Sequence, residues 1–83
     1  MTLLYFAWLR ERIGTGSEEV ELPEGVATPA DLIEWLKGRE PRYAAAFEDA
    51  RAIRVAIDQE QAEMDAPLAG AREVALFPPV TGG

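Results

Sequence analysis

The last apolar stretch of the chain, Glu73 to Phe77, runs directly into two prolines and a tail that ends in two glycines. Proline has a fixed φ and no backbone N–H donor, so Pro78-Pro79 predict the end of a strand and an extended exit from the sheet. Gly82 and Gly83 have no Cβ, which lets them enter a slot too narrow for other residues. The extended tail reaches about 20 Å, because each residue adds about 3.3 Å. The chemical group at its tip is the α-carboxylate of Gly83.

A frayed terminus is the competing interpretation of this tail, since chain ends are often poorly ordered. A frayed end, however, does not require a proline stop placed directly after a core strand. The pattern instead indicates a stiff projection. We therefore divide the chain into a folded domain, residues 1–77, and a projecting tail, residues 78–83.

The residue types that the chain lacks limit its chemistry. Its 83 residues suffice for one small domain, and they include no cysteine and no histidine. Disulfides, thiolate nucleophiles, imidazole bases and the common zinc sites are therefore excluded. We expect no metal site and no stably bound cofactor. Acidic pairs such as Glu18-Glu19 are frequent, but nothing in the sequence gathers them into a catalytic site, so a stand-alone enzyme is the least favoured class.

The charge balance is strongly acidic, with eight Lys and Arg against fifteen Asp and Glu and a formal net charge of −7. Such a chain does not suit nucleic acid, whose phosphates need a basic surface. The charge either attracts a basic partner protein or only keeps a small protein in solution. No apolar run has the length of a membrane span, and no signal peptide is visible, so we expect no membrane association and a cytoplasmic location.

One helix has a clear start. Thr28 can cap it, Pro29 suits the first helical position, and Asp31 stands three residues after the cap. An apolar stripe follows, and the helix is expected to end near Gly38. The loop 14–17 contains two glycines but lacks the lysine and the spacing of a phosphate-binding loop. Short helical turns are expected at 10–13, ended by Gly14, and at 42–49.

Alternating apolar residues predict five strands, at 2–9, 17–22, 52–58, 61–64 and 73–77. The second can pair with the first as a hairpin, and the first and last can lie side by side in the middle. One main helix packed on one face of a small mixed sheet buries these apolar faces economically. The predicted fold is therefore α+β, the ubiquitin-like β-grasp, with an extended C-terminal tail.

The face of the sheet that lies away from this helix retains four apolar side chains, Leu4, Phe6, Ala75 and Phe77. Exposed apolar patches often mark protein interfaces, although loops can also cover such residues. Because the patch lies at the root of the tail, we predict that it is a partner interface.

The closing residues Phe77-Pro78-Pro79-Val80-Thr81-Gly82-Gly83 resemble the C-terminal signature of the MoaD family, the small sulfur-carrying subunits of molybdopterin synthase. The resemblance spans the chain: the opening strand and turn, the helix around 32–36 and the approach to the last strand are similar to those of the family. The departures are Asp58, where asparagine is common, Ala71, where an acidic residue is common, and Gln61, where relatives can place an apolar contact. They affect details of the interface rather than the tail chemistry.

The resemblance implies that an E1-like activating enzyme of the MoeB type uses ATP to adenylate the carboxylate of Gly83. A sulfur donor protein then converts it to a thiocarboxylate. The carrier docks on a large subunit of the MoaE type, in a heterotetramer, and gives its sulfur to cyclic pyranopterin monophosphate to form molybdopterin. In this scheme Pro78, Pro79, Val80, Thr81 and Gly82 form the inserted tail. The chain itself is not catalytic.

Three other functions use the same features. A ThiS-type sulfur carrier of thiamine biosynthesis has the same fold and the same Gly-Gly chemistry, although the spacer from Pro78 to Thr81 favours the molybdopterin branch. A ubiquitin-like modifier would join Gly83 to a lysine of a target protein. A plain β-grasp interaction module would have an inert tail.

Overall fold

The computed structural model describes residues 1–79, so the tail residues Val80, Thr81, Gly82 and Gly83 lie outside the described part of the chain. The order of elements is strand, helix, strand, two helices, a short 3-10 helix and three strands. Their bounds are β1 Thr2–Tyr5, α1 Ala7–Ile13, β2 Ser17–Glu19, α2 Pro29–Lys37, α3 Pro41–Ala46, the 3-10 helix Ala50–Ala52, β3 Arg54–Ile57, β4 Glu60–Ala62 and β5 Glu73–Phe77. Within residues 1–79, none of these helices is long and apolar enough to cross a membrane.

The five strands form one mixed sheet in the order β2-β1-β5-β3-β4. The first and last strands run parallel to each other in its centre, with Tyr5 beside Leu76, and the remaining neighbours are antiparallel. The central placement of these two strands confirms the arrangement predicted from the sequence. It matters for the tail, because β5 ends between two neighbouring strands and not at an edge.

The core lies between the sheet and its helices. Side chains from β1, β3 and β5 pack with side chains from all three α-helices in one apolar cluster. Leu32 and Leu36 of α2 are fully buried in it, and each such burial stabilises the fold by about 1.5–3 kcal/mol. The larger buried members are Leu3, Tyr5, Leu9, Ile13, Leu32, Leu36, Tyr43, Phe47, Ile53, Val55, Val74 and Leu76.

The start of α2 confirms the predicted cap. Asp31 N–H donates to the hydroxyl of Thr28 at 3.2 Å, while Asp31 Oδ2 accepts from the backbone N–H of Thr28 at 3.2 Å and of Ala27 at 3.1 Å. These bonds favour the charged carboxylate, the one from Ala27 most, so the pKa of Asp31 lies below its usual value. The reciprocal bonds satisfy donors that a helix start otherwise leaves free.

The predicted first strand is too long. β1 ends at Tyr5, and residues 7–13 form a helix instead of continuing the strand. Ala7 has a φ of 55°, which turns the chain out of the sheet. Leu9 and Ile13 are then buried four residues apart on one helix face. Residues 7–9, predicted as strand, therefore belong to the helix, and the helical turn predicted at 10–13 is its second half. β1 and β2 consequently pair across an intervening helix, not as a simple hairpin. Gly14 ends this helix with a φ of 94°, as predicted.

The other strands keep their predicted order but are mostly shorter. β2 stops at Glu19, β3 begins at Arg54 after the 3-10 helix, and β4 covers Glu60–Ala62 instead of 61–64. The β3–β4 turn is made by Asp58 and Gln59, whose φ values of 49° and 71° turn the chain back sharply. β5 occupies the predicted range.

Candidate functional site

The face of the sheet away from the helices, called the open face here, has an apolar centre set by the strand register. Leu4 of β1 and Ala56 of β3 both stand opposite Ala75 of β5. Directly opposed residues project from the same face of a sheet, so these three side chains form a row. The alternate residues of β5, Val74 and Leu76, point to the helices and are fully buried.

Next to this row lies a shallow, mostly apolar groove that reaches the root of the tail. Phe6 projects beside it and is 48% exposed, and among residues 1–79 it is the large apolar side chain that stands out to solvent. Phe77, the last residue of β5, is half-buried on the other side. The groove is lined by Phe6, Ala7, Ala56, Ala75, Phe77, Pro78 and Pro79.

The backbone fixes the position of Phe6. Its N–H donates to the carbonyl of Leu76 at 3.2 Å, and its carbonyl accepts from the N–H of Leu9 at 3.2 Å. Phe6 is therefore tied both to the central strand and to the first turn of α1. The positive φ of Ala7, the next residue, is a conformation that costs an L-residue about 1–2 kcal/mol. The strained backbone at Ala7 thus keeps the large apolar side chain of Phe6 exposed to solvent. Backbone strain next to an exposed apolar residue often accompanies a binding function.

The structure brings together most of the residues predicted for the interface. Phe6 and Phe77 line the groove as expected, and Pro78 and Pro79 extend it toward the tail. Leu4 is half-buried beside the groove. Ala75 was predicted as exposed, but it is only 7% exposed because larger neighbours flank it, so it forms the groove floor.

Two residues that line the groove, Ala7 and Ala56, were not predicted from the sequence. Ala7 lies beyond the end of β1 and Ala56 belongs to β3, and neither is part of the predicted patch of Leu4, Phe6, Ala75 and Phe77. The cross-strand register of Ala56 with Ala75 was the missing signal. The predicted tail residues from Val80 to Gly83 lie outside the described part of the chain, and their role stays a prediction.

A polar cluster on the helix side of the sheet was also not predicted. Glu18 of β2 accepts hydrogen bonds from the hydroxyls of Tyr43 at 2.5 Å and Tyr5 at 3.0 Å, and from Arg39 at 2.8 Å. Burial alone would raise the pKa of Glu18, but the bonds from Tyr43, Arg39 and Tyr5 outweigh it, so this pKa lies below its usual value. Burial, and then Glu18, raise the pKa of Tyr5. The cluster joins β2 to β1 and to the helices.

Within residues 1–79 no group of three or more acidic side chains is arranged to hold a metal ion. What the open face provides for binding is an apolar groove, and the tail leaves the sheet at the end of this groove through Pro78 and Pro79.

Comparison with known proteins gives the family. The sequence pattern of the ThiS family matches residues 3–83. The molybdopterin synthase sulfur carrier subunit of Escherichia coli strain K12 is 38% identical over 98% of this chain and 96% of its own length. Among solved structures, a putative molybdopterin converting factor, subunit 1, from Pyrococcus furiosus has a TM-score of 0.73 with 32% identity, covering 95% of both chains.

A second solved structure is that of a protein named as a modifier. The small archaeal modifier protein 1 of Haloferax volcanii has a TM-score of 0.71 with 35% identity, covering 96% of this chain and 97% of its own. All these matches extend over nearly the full length of both partners, so they share the whole β-grasp domain and not only a local motif. By sequence and by fold, this chain belongs to the ThiS family and is a relative of the molybdopterin synthase sulfur carrier subunits.

Proposed function

We propose that this chain is the small, sulfur-carrying subunit of a molybdopterin synthase. The proposal depends above all on where the tail begins, at Phe77 and the two prolines that follow it. The central strand β5 ends at Phe77, beside the exposed ring of Phe6 and an apolar groove, and leads through two prolines toward a C-terminal Gly-Gly. The names of the E. coli and P. furiosus relatives support this reading.

The chemistry of the tail follows from what the chain lacks. Without cysteine or histidine, no side chain can carry sulfur or act as an imidazole base. The carboxylate of Gly83 is a poor electrophile until it attacks the α-phosphate of ATP, which releases pyrophosphate and forms an acyl-adenylate. Sulfide-level sulfur supplied by a donor protein then attacks the carbonyl carbon of the acyl-adenylate, AMP leaves, and the product is a thiocarboxylate. ATP is consumed on the E1-like activating enzyme of the MoeB type and is no resident cofactor of this chain.

In the last step the thiocarboxylate enters the active site of the large subunit, of the MoaE type, where its sulfur bonds to cyclic pyranopterin monophosphate. Water then cleaves the acyl–sulfur bond, which leaves the sulfur on the pterin and restores the Gly83 carboxylate. The chain acts as a cosubstrate, since the acids and bases for this transfer come from the large subunit. The proposed assembly is a heterotetramer with two carriers on a dimer of large subunits. The proposed role of the domain is to bind the large subunit and direct the tail into its active site. The proposed location is the cytoplasm.

A reconstitution tests the proposal. The chain is incubated with ATP, an activating enzyme of the MoeB type and a sulfur donor protein, and its intact mass is measured. We expect one oxygen to be replaced by sulfur at the C-terminus, and the product to convert cyclic pyranopterin monophosphate when the large subunit is added. The matched control lacks Gly83. It should fold and bind the large subunit but form no molybdopterin, and full activity of this truncated chain would overturn the proposal.

The likeness to a small archaeal modifier protein favours one alternative, conjugation of Gly83 to lysines of other proteins. An epitope-tagged chain expressed in cells should then form covalent adducts that resist denaturation and vanish when Gly83 is removed. Lys37 is the one lysine of this sequence, so a Lys37→Arg variant distinguishes adducts on other proteins from self-conjugation through a side chain. If the same pterin conversion is observed without adducts, the carrier function alone remains.

A further inference from the structure

Arg54 lies on the open face at the root of the tail. The register of β3 with β5 places Arg54 opposite Phe77, two positions along from the pair of Ala56 and Ala75. Cross-strand partners of an antiparallel pair project from the same face with Cβ atoms about 5 Å apart. Arg54 therefore shares the open face with Phe77, directly across the strand pair from it, and its side chain, which ends in a guanidinium, is exposed to solvent.

This guanidinium has no acidic partner among residues 1–79. Four other cations of the chain are already paired: Lys37 with Glu34, Arg39 with Glu18, Arg42 with Glu40 and Arg51 with Asp49. Glu63 lines the same shallow depression as Arg54, yet the two form no ion pair. In a protein with a net charge of −7, a free positive charge at this point is available to a carboxylate of another molecule.

The opposite end of the open face has the opposite charge. Thr2 of β1 stands across from Glu19 of β2 and from Glu73 of β5. These two carboxylates therefore share the face with the apolar row, at the end away from the tail. Glu19 is paired with the N-terminal ammonium at 3.8 Å, whereas Glu73 has no ion pair within residues 1–79. The open face thus runs from an acidic end, through an apolar centre, to a single guanidinium beside the tail.

We propose that Arg54 fixes the direction in which the large subunit docks, by pairing with a carboxylate of that subunit next to the opening that receives the tail. This inference rests on the proposed function. The partner surface it predicts has an apolar centre, an Asp or Glu facing Arg54 and a basic group facing Glu73. A partner turned by half a rotation would bring like charges together at both ends, which weakens binding. Arg54 is thus a specificity-determining residue that acts on docking and not on the sulfur chemistry.

Two matched charge reversals test the inference. Arg54→Glu places a negative charge at the tail root. Arg72→Glu makes the same change in net charge just before the other end of β5, where Arg72 is exposed and has no ion pair within residues 1–79. Binding of each full-length variant to the large synthase subunit is measured by surface plasmon resonance at low and at high salt. Thermal unfolding shows whether each variant is folded.

We expect Arg54→Glu to weaken binding about tenfold or more at low salt, mainly through a slower association rate, and to lose much of this effect at about 1 M salt. Arg72→Glu should leave the affinity unchanged or raise it, because the added carboxylate lies at the end of the face where a basic partner group is predicted. An uncharged Arg54→Gln variant should fall between the unaltered chain and Arg54→Glu, which separates charge from packing. Equal losses for Arg54→Glu and Arg72→Glu, or a loss that salt does not change, would overturn the role of Arg54 while leaving the carrier function in place. Failure of the unaltered chain to bind the large subunit would instead overturn both.

Discussion

The hydroxyl of Tyr43 donates a hydrogen bond of 2.5 Å to Oε2 of Glu18, a residue 25 positions earlier in the chain. Tyr5 donates to the same oxygen at 3.0 Å, and Arg39 donates to Oε1 at 2.8 Å. Arg39 also lies over the ring of Tyr43, 5.1 Å from its centre. One carboxylate on an edge strand thus joins β2 to the central strand β1 and to the helices. Its loss should weaken the fold and leave the docking face itself unchanged.

Glu18→Gln should lower the free energy of unfolding by about 1–2 kcal/mol at pH 7, because hydrogen bonds to a charged group are stronger than those to a neutral one. The pKa of Glu18 lies below its ordinary value of 4.5 in the folded chain. The stabilisation is therefore fully present above that pH and is lost as the pH falls through the folded-state pKa. Urea unfolding from pH 7 to pH 3 should show a constant difference between the two proteins above about pH 5 that shrinks below it.

The control for this series is Glu24→Gln. Glu24 is exposed and, within residues 1–79, its side chain has no hydrogen bond or ion pair. Its replacement should move the unfolding free energy by less than about 0.5 kcal/mol. A difference between Glu18→Gln and the unaltered chain that stays the same down to pH 3 would contradict the assigned cause.

Ala7→Gly should leave the stability unchanged or raise it by up to about 1 kcal/mol. Ala7 has a φ of 55°, and glycine removes the steric cost of that conformation, which offsets the extra entropy of the unfolded chain. The same exchange at Ala44, an exposed position within α3, should lower stability by about 0.5–1 kcal/mol. Thermal or urea unfolding of both variants measures the contrast, and equal losses at the two sites would show that Ala7 is not strained.

Asp58→Ala should destabilise the fold by about 1–3 kcal/mol, whereas Asp58→Asn should stay within about 0.5 kcal/mol of the original. Asp58 Oδ1 accepts from the backbone N–H of Arg72 at 2.9 Å and of Glu73 at 3.0 Å, and its φ is 49°. Asparagine keeps an oxygen acceptor and tolerates this backbone region, but alanine does neither. Urea unfolding distinguishes the three proteins, and a stable alanine variant would rule out this role.

Phe77→Asp should weaken binding to the large synthase subunit by about 30-fold or more, since buried aromatic anchors commonly contribute 2 kcal/mol or more to an interface. Phe6→Asp should act similarly with less effect on folding, because Phe6 is already 48% exposed. Ala69→Asp, in an exposed loop, is the matched control for the added charge. Affinity is measured by titration calorimetry, and unchanged values for both phenylalanine variants would exclude the groove from the interface.

The sequence predicted the β-grasp fold, because its strongest signals are local. The cap formed by Thr28 and Asp31 fixes where α2 begins, and the proline pair after Phe77 fixes where β5 ends. These features depend on residues a few positions apart, so they can be read without knowing what lies across the sheet. The prediction from the sequence is wrong at the end of β1, where residues 7–9 fit both a strand and a helix. There the choice depends on where the chain can bury them.

For the candidate site too, some features follow from the sequence and others only from the tertiary structure. The sequence alone predicts the carboxylate of Gly83 as the reactive group, and this prediction depends on the absence of cysteine and histidine from the sequence. Only the tertiary structure decided which residues surround the root of its tail. The strand register brings Ala56 and Arg54 of β3 beside β5, and the turn at Ala7 holds Phe6 outward. Such contacts join distant segments, and their geometry follows from how the strands pair and not from local preference.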